Sequence, residues 1–145
     1  MKKQKNKLGF TLIELLVVIA IIGLLATLSV VALNNARERA RDSRRISDIR
    51  QIQTALELYY NTENSYPTVA TAGDAHSVLV VLSPYLNPIP KNPTPDDCNV
   101  AWAVEEYQYQ GGGNSYTLEY CLGNETGGIS AGINTANQMT ITTTP

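Results

Sequence analysis

Hydrophobic and polar positions follow one another along this chain in regimes that predict different elements. From Leu15 to Leu33 nineteen residues carry no charge. In helical conformation they rise about 28 Å, close to the hydrocarbon thickness of a bilayer. Neither proline nor glycine interrupts Leu24 to Tyr66, and Ala, Arg, Glu, Leu and Gln favour helix there. Ile46, Ile49, Ile52, Leu56 and Tyr59 recur every three or four residues, so the helix is expected to continue past the apolar run as one stripe facing a sheet. Arg45, Asp48, Gln51 and Gln53 fall mostly off that stripe. From Phe10 to Tyr60 such a helix measures about 76 Å. The polar cluster Asn61 to Ser65, closed by Tyr66-Pro67, ends it, because a residue before proline is pushed to an extended conformation.

Beyond the helix the period changes. A loop of small residues follows Pro67, and Val78 to Leu82 is expected to be a short helix capped by Asp74. Asn87 to Asp97, with Pro88, Pro90, Pro93 and Pro95, predicts an extended connector. Period-two alternation then marks strands at Glu106–Gln110 and Ser115–Leu122, joined by the hairpin loop Gly111–Asn114. Tyr116, Leu118, Tyr120 and Leu122 are expected to face the long helix. Gly123 to Asn137 predicts a loop, and Gln138 to Thr143 a third strand. The fold class is therefore α+β: a lollipop whose long N-terminal helix, transmembrane in its apolar half, packs on a small antiparallel sheet in the head.

Charge adds an asymmetry that the net value of −2 conceals. Lys2, Lys3, Lys5 and Lys7 precede the apolar run. Asn34 to Arg50 carries six arginines against Glu38, Asp42 and Asp48, and from Gln51 onward Lys91 stands against nine acids. Basic residues thus flank the span on both sides, and the positive-inside rule does not orient it. The arginines Arg37, Arg39, Arg41, Arg44, Arg45 and Arg50 are expected to be solvated, in the headgroup region, in subunit contacts, or paired along the helix as Arg44 with Asp48. The acidic head argues against a nucleic-acid partner. A cleavable secretory signal ending near Val30-Val31-Ala32 competes with the membrane span, but its apolar core would be unusually long and would open beside an acid. That acid is Glu14. A carboxylate at the mouth of a span marks function unless it reaches headgroup water.

The stretch Gly9-Phe10-Thr11-Leu12-Ile13-Glu14-Leu15-Leu16-Val17-Val18-Ile19-Ala20-Ile21-Ile22-Gly23-Leu24-Leu25-Ala26 resembles the prepilin family, the subunits of type IV pili and of type II secretion pseudopili. Tyr59-Tyr60 to Tyr66-Pro67 and Ile89-Pro90-Lys91-Asn92-Pro93 extend the resemblance toward major pseudopilins. It implies cleavage after Gly9 by a membrane-embedded aspartic prepilin peptidase, N-methylation of Phe10, and a role for Glu14 in filament assembly. It also orients the chain, with the lysines cytoplasmic and the head extracytoplasmic. The implied organisation is a basic leader at 1–9, a membrane and filament-core helix at 10–33, an amphipathic continuation at 34–61 and a globular head at 62–145. The implied partners are the peptidase, copies of the same chain in a helical filament, an inner-membrane assembly platform and membrane lipid. Two departures stand out. Val31 occupies a position where many members have proline, so the helix is expected to be more continuous. Gly123 to Gly128 supplies one carboxylate, Glu125, where major pseudopilins often hold calcium, so no metal site is expected.

Cys98 and Cys121 are the only cysteines. In an exported head they favour a disulfide over two reduced, buried thiols, closing a loop worth roughly 3 kcal/mol. His76 is expected at the surface near a helix start, and Trp102 in the core. One histidine, no nucleophile motif, and acid pairs (Asp96-Asp97, Glu105-Glu106) without a partner base leave no catalytic constellation. A structural subunit without enzymatic activity or cofactor is expected, serving secretion or a related filament. A pilus for DNA uptake or adhesion and a tethered, non-polymerising binding domain remain the alternatives.

Overall fold

The computed structural model describes residues 9–95, 106–138 and 140–143. The chain divides into two compact units, Met1–Ala36 and Arg37–Pro145, and the helix α1, Leu12–Glu63, contributes to both. In the first unit α1 buries nothing. The large apolar side chains from Phe10 to Leu33 are all exposed, from 46% at Val18 to 88% at Leu12. The helix passes Gly23 and Val31 without a break. Thr27 and Ser29 donate their hydroxyls to the carbonyls of Leu24 and Leu25 at 2.8 Å, which leaves no side-chain donor unsatisfied in an apolar surrounding.

In the second unit the expected stripe is buried. Ile49, Ile52 and Leu56 are fully enclosed, with Ile46 and Ala55 nearly so. They pack in one core with Tyr116, Leu118, Tyr120 and Leu122, the strand residues expected to face the helix, and with Tyr109 of β2. Each fully buried Ile or Leu stabilises this unit by about 1.5–3 kcal/mol. The sheet is antiparallel with five strands in the order β1-β2-β3-β4-β5: Tyr66–Asp74, Gln108–Gly113, Ser115–Leu122, Gly132–Ala136 and Ile141–Thr143.

Three differences from the sequence expectation have physical causes. The segment after Tyr66 is not a loop but the edge strand β1, and Pro67 is tolerated because an edge strand need not donate on its open side. Its pairing with β2 slips twice, between Tyr66 and Val69 and between Val69 and Gly73, so no clean alternation marks it. Gly123–Asn137 contains β4, whose Gly-Ile-Asn-Thr-Ala sequence buries Asn134. The Asn134 amide donates to the carbonyls of Ser130 and Gly132 at 3.0 and 2.9 Å. β2 runs through the glycines to Gly113, leaving a two-residue turn at Gly113-Asn114. Gly113 adopts φ 56°, a conformation open to glycine at the first position of such a turn.

Asp74 caps a short helix as expected, but the α-helix lies ahead of the expected Val78–Leu82. Asp74 caps α2, Ala75–Val78, by accepting from the His76 amide at 2.9 Å and the Ser77 hydroxyl at 2.6 Å, and a 3₁₀ turn follows at Leu79–Leu82. His76 is partly exposed, with Nδ1 3.1 Å from the Ile89 carbonyl. Cys98, Trp102, Asp96-Asp97 and Glu105 lie outside the described residues.

Candidate functional site

The residues singled out at the chain start lie together at the head of α1. Gly9 and Phe10 are exposed, Phe10 at 86%. A Cβ added to Gly9 would meet nothing within 4 Å, so packing places no demand for glycine there. Glu14 is not an isolated carboxylate. Its Oε2 accepts from the Thr11 amide at 2.8 Å and from the Thr11 hydroxyl at 2.6 Å, while the Glu14 amide lies 3.3 Å from Thr11 Oγ1. This is a reciprocal capping box, Thr-x-x-Glu, in which both side chains satisfy amides that a helix start leaves orphaned. The signal for it in the sequence is the spacing of Thr11-Leu12-Ile13-Glu14, which is missed when Glu14 is read only as an acid at the mouth of a span. Glu14 remains exposed, so the cap holds the carboxylate in place without burying it.

The second unit holds a polar cluster that the apolar stripe did not predict. Arg45, expected among the solvated or helix-paired arginines, and Asp42 are both fully buried and form an ion pair of 2.7 Å. Arg45 Nε donates to Asn92 Oδ1 at 2.8 Å, and its Nη2 donates to the carbonyls of Pro93 and Pro95 at 3.0 and 3.2 Å. Asp42 accepts from the amides of Gly123 and Asn124 at 3.0 and 2.9 Å. One i,i+3 pair thus ties α1 to the proline-rich connector and to the turn after β3. A planar, multiply donating guanidinium suits this task, since it satisfies three acceptors and a carboxylate at once.

One turn further on, Asp48 is also buried. It accepts from the Tyr107 hydroxyl at 2.9 Å and lies 3.7 Å from the exposed Arg44, the i,i+4 partner expected from the sequence. Burial pushes the Asp48 carboxyl above its ordinary range, opposed by the Tyr107 hydroxyl and by Arg44. Burial and the neighbouring Asp48 together raise the Tyr107 phenol. Asp48 is therefore on the packed face of α1, correcting its placement off the stripe. The polar partners of these helix residues come from segments 47 to 82 positions away, and helical periodicity carries no signal for them.

Cys121 is buried in β3, while Cys98 lies outside the described residues. Among the described residues no group of three or more His, Cys, Asp or Glu is placed to hold a metal ion.

An apolar helix opened by a capped Glu, with an α+β second unit built on the same helix, defines a prepilin-type subunit. The family described as the prokaryotic N-terminal methylation motif matches residues 4–30. The type II secretion system core protein G of Vibrio cholerae serotype O1 is 30% identical over 149 residues, covering 94% of this chain and 95% of the relative. The corresponding proteins of Aeromonas hydrophila and Escherichia coli K12 are 40% and 36% identical, over 50% and 63% of this chain. Those two alignments span only 51% and 61% of the relatives. No solved structure matches at a significant level. On the end-to-end match, the chain belongs to the family of type II secretion system core protein G.

Proposed function

We propose that this chain is a structural subunit of a type II secretion pseudopilus, inserted in the membrane, processed and then polymerised through its N-terminal helix. The observation that carries the reading is the exposure of every large apolar side chain from Phe10 to Leu33. Side chains this apolar over this length require lipid before assembly and other copies of the same helix after it. The chain is inserted with its N-terminus cytoplasmic and its head extracytoplasmic, and it leaves the membrane as part of a periplasmic or extracellular filament. Its partners are the prepilin peptidase, an inner-membrane assembly platform and further copies of itself. The printed name of its relatives, a secretion system core protein, favours secretion over DNA uptake or adhesion. Electron microscopy of sheared filaments, identified with an antibody to the head, tests the reading. A chain that is found only as a membrane-bound monomer in cells secreting normally would refute it and favour a tethered binding domain.

Processing removes residues 1–9 and leaves Phe10 as the methylated N-terminus. The open surroundings of Gly9 support this, because a glycine that packing does not need is available to a peptidase that binds extended backbone. Mass spectrometry of the membrane-extracted protein is expected to show Phe10 at the N-terminus with one added methyl. Gly9→Val is expected to accumulate as the uncut precursor. A mature chain that begins at Met1, or at Asn34 or beyond, would contradict the assignment.

Cys98 and Cys121 form a disulfide in this reading, supported by the absence of a free cysteine among the described residues, which include Cys121. Thiol labelling of the unreduced protein is expected to modify neither residue. Cys98→Ser is expected to destabilise the head by about 2–4 kcal/mol. Full labelling without reductant would exclude the bridge.

A further inference from the structure

The structure sorts the charges of residues 34–50 in a way the sequence does not. Of the three acids in this stretch, Asp42 and Asp48 are buried and committed to internal partners, and Glu38 is half-buried. Arg45 is buried with Asp42, and the exposed Arg44 lies beside Asp48. Arg37 and Arg39 are exposed. The surface of α1 just beyond the apolar run is therefore more basic than its composition, because folding withdraws the acids and leaves these two arginines outside.

We infer that Arg37 and Arg39 form a collar that binds the phosphate groups of anionic phospholipids in the leaflet facing the head. The inference rests on the membrane insertion proposed above. Two arguments select lipid over the acidic head of a second copy. The first is depth. At the helical rise, Arg37 and Arg39 follow Leu33 by about 6 and 9 Å. The polar headgroup layer extends about 5–7 Å beyond the hydrocarbon on each side. Long arginine side chains bridge the small difference, and screening in physiological salt acts over about 8 Å. The second is direction. Residues two apart on a helix point about 200° from one another, so Arg37 and Arg39 leave α1 on nearly opposite sides. A neighbouring head would approach from one side and meet one of them, whereas phospholipid surrounds an inserted helix and meets both. Entry into a filament then requires these phosphate contacts to be given up. The collar would hold the unassembled subunit at a fixed height until a stronger contact replaces it.

The test uses the full-length protein extracted into detergent micelles containing equal phosphatidylglycerol and phosphatidylcholine, with retained lipid counted by native mass spectrometry. The wild-type chain is expected to retain phosphatidylglycerol preferentially. Arg37→Gln with Arg39→Gln is expected to lower that preference about 25-fold, at roughly five-fold per arginine near a charged surface. Arg37→Lys with Arg39→Lys is expected to keep most of it, since the contact is electrostatic. Equal retention of both lipids by the wild type, or an unchanged preference in the Gln pair, would overturn the inference. A Gln pair that keeps its lipid preference but loses filament assembly would also overturn it and place the collar against a neighbouring head. Lipid retention is read on unpolymerised protein, so a chain that never forms filaments can still show the preference. Failure of the filament reading and failure of the collar are thus separate results.

Discussion

Alanine in place of Glu14 is expected to leave a cleaved, methylated protein in the membrane that does not enter filaments. The cleavage proposed after Gly9 creates an ammonium on Phe10, four residues before the Glu14 carboxylate. Among the described residues the carboxylate accepts from Thr11, through its amide and hydroxyl, and it stays exposed for a further partner. In a staggered bundle of apolar helices, the carboxylate of one copy meets the ammonium of the next at one register. Any other register leaves a charge buried alone, which costs several kcal/mol. The pair is therefore expected to select the stagger more than to strengthen the bundle, because desolvation of both charges offsets much of their attraction.

The capping box supplies a competing explanation and also the means to separate it. Loss of the cap weakens the helix start by about 1 kcal/mol, and Glu14→Ala removes cap and charge together. Glu14→Gln retains the capping geometry, since glutamine serves at that position as glutamate does, but it removes the charge. If charge selects the register, Glu14→Gln fails to assemble much as Glu14→Ala does, and Glu14→Asp is partly defective through its shorter reach. Normal filaments from Glu14→Gln would reduce the role of Glu14 to capping. Normal filaments from Glu14→Ala would show that apolar packing alone sets the stagger.

The largest expected loss of stability follows from breaking the buried pair in the second unit. Asp42→Leu leaves the Arg45 guanidinium buried among neutral oxygens from Asn92, Pro93 and Pro95. Arg45→Met leaves the Asp42 carboxylate with the amides of Gly123 and Asn124 but without its counter-charge. Each is expected to destabilise the head by about 3–5 kcal/mol. For a unit of this size that corresponds to a drop in Tm of roughly 10–20 °C. The double variant is expected to cost much less than the sum of the two, because apolar groups of similar volume replace a buried ion pair at little net cost. Arg45→Lys is expected to resemble Arg45→Met more than wild type, since one ammonium cannot reach a carboxylate and three further oxygens. Thermal unfolding of the head, followed by circular dichroism, checks all four. Single variants within about 1 kcal/mol of wild type would show that the pair is not a closure of the fold.

Residues close in sequence determined most of the first unit and the general form of the second. The uncharged run from Leu15 to Leu33, the three-and-four spacing of Ile46 through Leu56 and the alternation of Tyr116 through Leu122 each follow from one local period, and one period suffices to name an element and its buried face. Asp74 as a cap is legible for the same reason, and the Thr11-to-Glu14 spacing carried a local signal that went unread. Tertiary structure alone decided the rest. β1 and β4 exist because a neighbouring strand pairs their backbones, and backbone pairing leaves little trace in sequences such as Thr-Val-Ala-Thr-Ala-Gly or Gly-Ile-Asn-Thr-Ala. Asp42, Arg45 and Asp48 read as surface residues by type. They are buried because Asn92, the carbonyls of Pro93 and Pro95, the amides of Gly123 and Asn124, and Tyr107 converge on them from distant segments. Burying a charge is unfavourable until all its partners are in place, and only the folded chain assembles them.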